Sequence, residues 1–63
     1  MEWNKKMKEA RKQARLTQHE LADHLGVHRS TIANYELGRR KPSLMELKKI
    51  AAKLGVDVNY LLE

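Results

Sequence analysis

Four residues suited to reading a nucleobase stand close together: Arg29, Ser30, Ala33 and Asn34. On a helix that turns ~100° per residue they fall on one side, with Leu37, while Thr31, Ile32 and Tyr35 fall on the other. A guanidinium offers two parallel donors that match the O6 and N7 acceptors of guanine, and a carboxamide pairs with N6 and N7 of adenine. Ser30 tolerates several base edges, and Ala33 either touches a thymine methyl or leaves room for close approach. Just beyond them Arg39, Arg40 and Lys41 form a basic run suited to a flanking phosphate. Other chemistries find less support. His24 and His28 are four apart, but Gly26 interrupts the helix that would align them, His19 lies off that line, and there is no Cys. No metal is therefore expected. The chain offers no acid pair, no nucleophile–base set and no phosphate-cradling glycine loop, so it is not expected to be an enzyme or to need a cofactor or small-molecule ligand.

The elements that must hold these residues are helices. Trp3, Met7, Ala10 and Ala14 make one apolar stripe, with Lys5, Lys6, Lys8 and Lys12 on other faces, which predicts a first helix over about 2–15. Thr17 and Glu20 match a capping box, with Leu16 and Leu21 at the hydrophobic-staple positions, and predict a helix over 18–25 closed by Gly26. A third helix is expected over 29–37, with Val27 and Ile32 repeating the staple. Pro42 and the pair Ser43 and Glu46, a second capping box, open a fourth over 44–54. Its stripe is Leu44, Leu47, Ile50, Ala51 and Leu54. Asp57 caps a short fifth helix over 58–62. The link Gly26-Val27-His28 is too short to lay the second and third helices side by side, so they must cross steeply, as in a helix-turn-helix.

Composition bounds the rest. With 63 residues the chain is expected to form one domain, all-α and compact. Without Cys it must be stabilised by helix packing, which suits a reducing cytoplasm or nucleoid. Lys and Arg number 13 against 8 Asp and Glu, a net charge of +5 with His neutral, and the pI is near 9.8. That balance suits a phosphate-rich partner. The apolar runs are far shorter than the ~20 residues of a membrane span, so no membrane partner is expected.

Several segments together resemble the XRE or lambda-repressor-like (Cro/CI-type) helix-turn-helix family. They are Leu16-Thr17-Gln18-His19-Glu20-Leu21-Ala22, Leu25-Gly26-Val27, Ser30-Thr31-Ile32-Ala33-Asn34-Tyr35-Glu36, Gly38-Arg39-Arg40-Lys41-Pro42-Ser43, Ile50-Ala51 and Leu54-Gly55-Val56. The resemblance covers roughly Met7 to Leu62. It implies a five-helix DNA-binding fold in which Arg29, Ser30, Ala33 and Asn34 contact bases. Gln18 matches a position that commonly contacts the DNA backbone, and it also begins a helix whose free amides attract phosphate. Arg11 and Glu36 match a pair that joins the first helix to the reading helix and leaves guanidinium protons for a phosphate. The sequence departs from the family pattern at three positions. His28 stands where a Ser or Thr cap is usual, so a cap worth ~0.5–2 kcal/mol is lost, although a protonated His28 could donate to a phosphate. Arg15 stands where Gly is frequent, so the helix must end differently or accept ~1–2 kcal/mol of strain. Ala10 replaces a frequent Leu, and Trp3 is expected to supply the volume with its indole edge reaching water.

The expected function is sequence-specific binding of double-stranded DNA by a transcriptional regulator, most often a repressor. One reading helix spans only ~4–5 base pairs, too few for genomic selectivity, so a homodimer on a near-palindromic operator is expected. Val58, Tyr60, Leu61 and Leu62 form an apolar end that serves as dimer interface, as core closure, or as both. The rival is a helical module that binds protein. Salt separates the two, because binding to phosphates weakens steeply as salt rises.

Overall fold

The computed structural model describes residues 2–63. Five α-helices follow one another: α1 (Glu2–Gln13), α2 (Gln18–Leu25), α3 (Arg29–Glu36), α4 (Leu44–Leu54) and α5 (Val58–Leu62), with no strand among the described residues. Each helix contributes to one core. Trp3, Met7 and Ala10 come from α1, Leu21 and Ala22 from α2, and Ile32 and Tyr35 from α3. Leu47, Ile50, Ala51 and Leu54 come from α4 and Leu61 from α5. At α2, at α3 and also at α5, where Val56 and Leu61 hold the staple positions around the Asp57 cap, the inner residue (Leu21, Ile32 or Leu61) is fully buried and the outer one (Leu16, Val27 or Val56) packs against the core.

The helix starts differ in how well they are closed. Thr17 Oγ1 accepts from the Glu20 amide at 3.0 Å and the Thr17 amide donates to Glu20 Oε1 at 2.8 Å, so the capping box is complete. The second box is only half made. Ser43 Oγ accepts from the Glu46 amide at 3.1 Å, but the described bonds include no return from the Glu46 carboxylate. That carboxylate lies near Tyr35 instead. Burial, and after it Glu46, raise the Tyr35 phenol above its ordinary pKa, while Arg40 opposes them. Asp57 Oδ1 accepts from the Asn59 amide at 2.8 Å.

Four helix ends share one device. At Arg15, Gly26, Gly38 and Gly55 the chain enters the left-handed region, with φ of 59, 72, 76 and 73°. There the next amide bonds back to a carbonyl in the last turn: Leu16 to Arg11, Val27 to Ala22, Arg39 to Asn34 and Val56 to Ala51. Three of these positions are glycine. The fourth is Arg15, which forces a side chain into the conformation its neighbours reach freely. This turn ends α1 at Gln13, two residues before the predicted end, and the turn at Gly38 ends α3 at Glu36 rather than at Leu37.

Two packing expectations also change. Leu44 is 55% exposed. It lies on the flank of the α4 stripe, about 70° from the centre set by Leu47, Ile50, Ala51 and Leu54. The Trp3 indole does not reach water: Nε1 is buried with no partner among the described residues. Trp3 and Ala10 are both buried members of the one core.

Candidate nucleic-acid interface

Gly26 and its left-handed turn release the chain from α2, half-buried Val27 ties the link to the core, and exposed His28 begins α3. One side of α3 is spent on the interior, where Ile32, Tyr35 and Glu36 are buried. On the opposite side Arg29, Ser30 and Leu37 are exposed and Ala33 and Asn34 are half-buried, while Thr31, at the edge of the inner side, is half-buried as well. The residues predicted to meet bases therefore share one outward surface.

That surface is held from behind by α1. Arg11 Nε donates to Glu36 Oε2 at 2.6 Å, Nη2 donates to Glu36 Oε1 at 3.2 Å, and Nη1 donates to the Leu16 carbonyl at 2.6 Å. The Arg11 and Glu36 side chains are only 10% and 3% exposed, so the predicted pair is a buried, bidentate one. Three of the five Arg11 guanidinium protons are engaged in this way, which leaves one on Nη1 and one on Nη2. Asn4 Nδ2 donates to the Glu36 carbonyl at 3.1 Å, and the Asn4 side chain stands 3.2 Å from where a Cβ at Gly38 would lie. A side chain at residue 38 would thus meet both strain and Asn4.

Gln18 is half-buried where α2 meets α3. Its Nε2 donates to Glu36 Oε1 at 3.0 Å, and its Oε1 accepts from Arg29 Nη1 at 2.9 Å. Past α3, the amides of Arg39 and Arg40 bond to the Asn34 carbonyl at 2.9 and 3.3 Å, which holds the exposed basic run Arg39, Arg40, Lys41 against the end of that helix. His28 makes no side-chain cap, and the Thr31 amide bonds instead to the His28 carbonyl at 2.9 Å.

At the other end of the molecule Leu61 is fully buried, which assigns it to core closure. Val58 is half-buried, and Tyr60 and Leu62 are exposed. The Lys6 ammonium lies 5.1 Å from the centre of the Tyr60 ring and donates to the Tyr60 carbonyl at 3.3 Å. No group of three or more potential ligands is gathered for a metal among the described residues. His19 instead stands 3.4 Å from Asp23. An open groove of about 630 Å³ is lined by His24, Leu25, Lys49, Ala52 and Lys53, none of them predicted to meet DNA.

Two features escaped the reading from sequence. Asn4 is buried, and the hint was its 3–4 spacing with Met7 and Arg11 on the inner side of α1. The bond between Gln18 and Arg29 has no signal in spacing, because it depends on how α2 crosses α3.

Residues 7–61 match the family described as Helix-turn-helix. An uncharacterized HTH-type transcriptional regulator of Bacillus subtilis, YqaE, is 41% identical over 61 residues, covering 97% of this chain and 53% of that protein. The immunity repressor protein of Bacillus phage phi105 is 38% identical over 56 residues, covering 89% of this chain and 39% of its own. The chain spans about half the length of the first curated relatives it matches. Among solved structures, SinR, the master regulator for biofilm formation, crystallised in complex with DNA, superposes with a TM-score of 0.88 at 32% identity, covering 97% of this chain and 98% of that one.

Proposed function

The chain belongs to the XRE-type helix-turn-helix family, whose members found here are transcriptional regulators rather than enzymes, and from that premise we propose that it binds duplex DNA sequence-specifically to regulate transcription. One observation carries this reading: α3 is anchored through Ile32, Tyr35 and Glu36 and turns Arg29, Ser30, Ala33 and Asn34 outward together. The likeness to SinR, a protein crystallised with DNA, supports it.

In this reading residues 1–63 act as one DNA-binding domain with α3 in the major groove. Arg29, Ser30, Ala33 and Asn34 meet base edges. Gln18, His28, Arg39, Arg40 and Lys41, with the two remaining protons of Arg11, meet the sugar-phosphate backbone and set the register. Because α3 reads only ~4–5 base pairs, two copies occupy a near-palindromic operator with half-sites about one helical turn apart, and the bound dimer represses by covering a promoter. Tyr60 and Leu62, flanked by Val58, are the apolar surface open to the second copy. The site of action is the prokaryotic cytoplasm or nucleoid. No helix among the described residues is long and apolar enough to cross a membrane.

Selection of bound duplexes from a random pool tests the reading, followed by binding of the selected site across a salt series. The expected result is a symmetric site, with log K falling by about 0.9 per contacted phosphate for each log unit of salt. An unenriched pool together with salt-insensitive binding would overturn it.

A further inference from the structure

Four polar side chains form an unbroken line from the interior to the outer surface of α3: Arg11, Glu36, Gln18 and Arg29. The line loosens outward, from a buried ion pair through half-buried Gln18 to exposed Arg29. We propose that Glu36 is a positioning residue for base recognition: it fixes the Gln18 carboxamide, which in turn holds the Arg29 guanidinium ready to read its base pair. The inference rests on α3 being the DNA-reading helix.

Glu36 has no freedom to shift. Arg11 grips both carboxylate oxygens, and Asn4 holds the carbonyl of the same residue. The ion pair already satisfies the charge, yet Oε1 accepts a further bond from Gln18 at 3.0 Å. That bond determines which way the carboxamide faces. With Nε2 turned to Glu36, only Oε1 is left toward α3, and it takes the Arg29 Nη1 proton at 2.9 Å. A carboxamide nitrogen carries two protons, so Gln18 keeps one for a phosphate while it serves the line. The guanidinium likewise gives up one of five protons and retains a fork for guanine. A long side chain ordered before binding loses less freedom on binding, and one held in a single plane has fewer alternative bases to satisfy.

The test uses two variants that break the line at different points. Arg11→Met with Glu36→Leu removes the buried pair together and keeps the site filled, and Gln18→Met cuts the line while leaving the pair intact. Two quantities are read: the affinity ratio between the selected site and the same site changed at the base pair Arg29 reads, and the order of the Arg29 Nε–H group in the free protein by ¹⁵N relaxation. Both variants should lower the ratio about three- to tenfold and loosen Arg29 in the free protein. Added to either variant, Arg29→Ala should remove no more discrimination than it removes alone minus that loss, because both act through one guanidinium. Unchanged discrimination with an equally ordered Arg29 in both variants overturns the proposal. Failure of the DNA reading has a different signature, in which Arg29→Ala in the otherwise unchanged protein alters no base preference, and the proposal then falls with it.

Discussion

The two sides of α3 are built for opposite purposes. Inward, Ile32 is fully buried, Tyr35 nearly so, and Glu36 holds Arg11 in a bidentate ion pair. Outward, Arg29 and Ser30 are exposed and the His28 cap is unmade. A substitution on the inner side should cost folding first, with recognition reached only through the Glu36–Gln18 line, and one on the outer side should cost recognition while the fold remains. The difference shows why a short helix can be both rigid and available: its stability is supplied from behind by α1 and α2, and its front stays open.

The largest break in that contrast should come from Glu36→Ala. It strands a buried guanidinium, so thermal or denaturant unfolding should report a loss of about 3–5 kcal/mol. The outer side should behave in the reverse way. Arg29→Ala and Asn34→Ala should each relax one or two base positions by about 1–3 kcal/mol in competition binding, with unfolding stability within about 0.5 kcal/mol of the parent. Arg40→Ala should weaken all sequences alike, because a phosphate contact carries no base information. An equal loss across every sequence for all three would erase the division between reading and positioning residues.

A smaller effect concerns the elbow after α1. Arg15→Gly relieves a side chain held at φ 59°, and the unfolding midpoint should rise by the equivalent of about 1 kcal/mol. The smallest belongs to the start of α2. The Thr17 amide, then the Thr17 hydroxyl, hold the exposed Glu20 carboxyl below its ordinary 4.5. A carboxylate whose pKa is depressed in the folded state stabilises above its unfolded pKa, and that contribution disappears as pH falls through the lower folded value. Stability measured down an acid series should therefore decline less steeply in Glu20→Gln than in the parent.

Much of this architecture is legible without coordinates because local chemistry declares it. Thr17 with Glu20, Ser43 and Asp57 announce helix starts, and Gly26, Gly38 and Gly55 mark ends through a backbone conformation that favours glycine. The outward grouping of Arg29, Ser30, Ala33 and Asn34 follows from helical rotation alone. What could not be read depends on how distant segments meet. The α1 end is obscured because Arg15 takes a glycine's conformation under the pull of bonds from Arg15 to Lys12 and Leu16 to Arg11. Leu44 is misassigned because a residue at the edge of a stripe is buried only if a neighbour reaches it.

The most direct test of the central claim is a titration of ¹⁵N-labelled protein with its selected duplex, followed by amide and side-chain chemical shifts. The largest changes are expected at Arg29, Ser30, Ala33, Asn34 and Gln18, with His24, Lys49 and Lys53 left nearly unmoved. Changes centred on that groove or on α5, with the outer surface of α3 undisturbed, would contradict it.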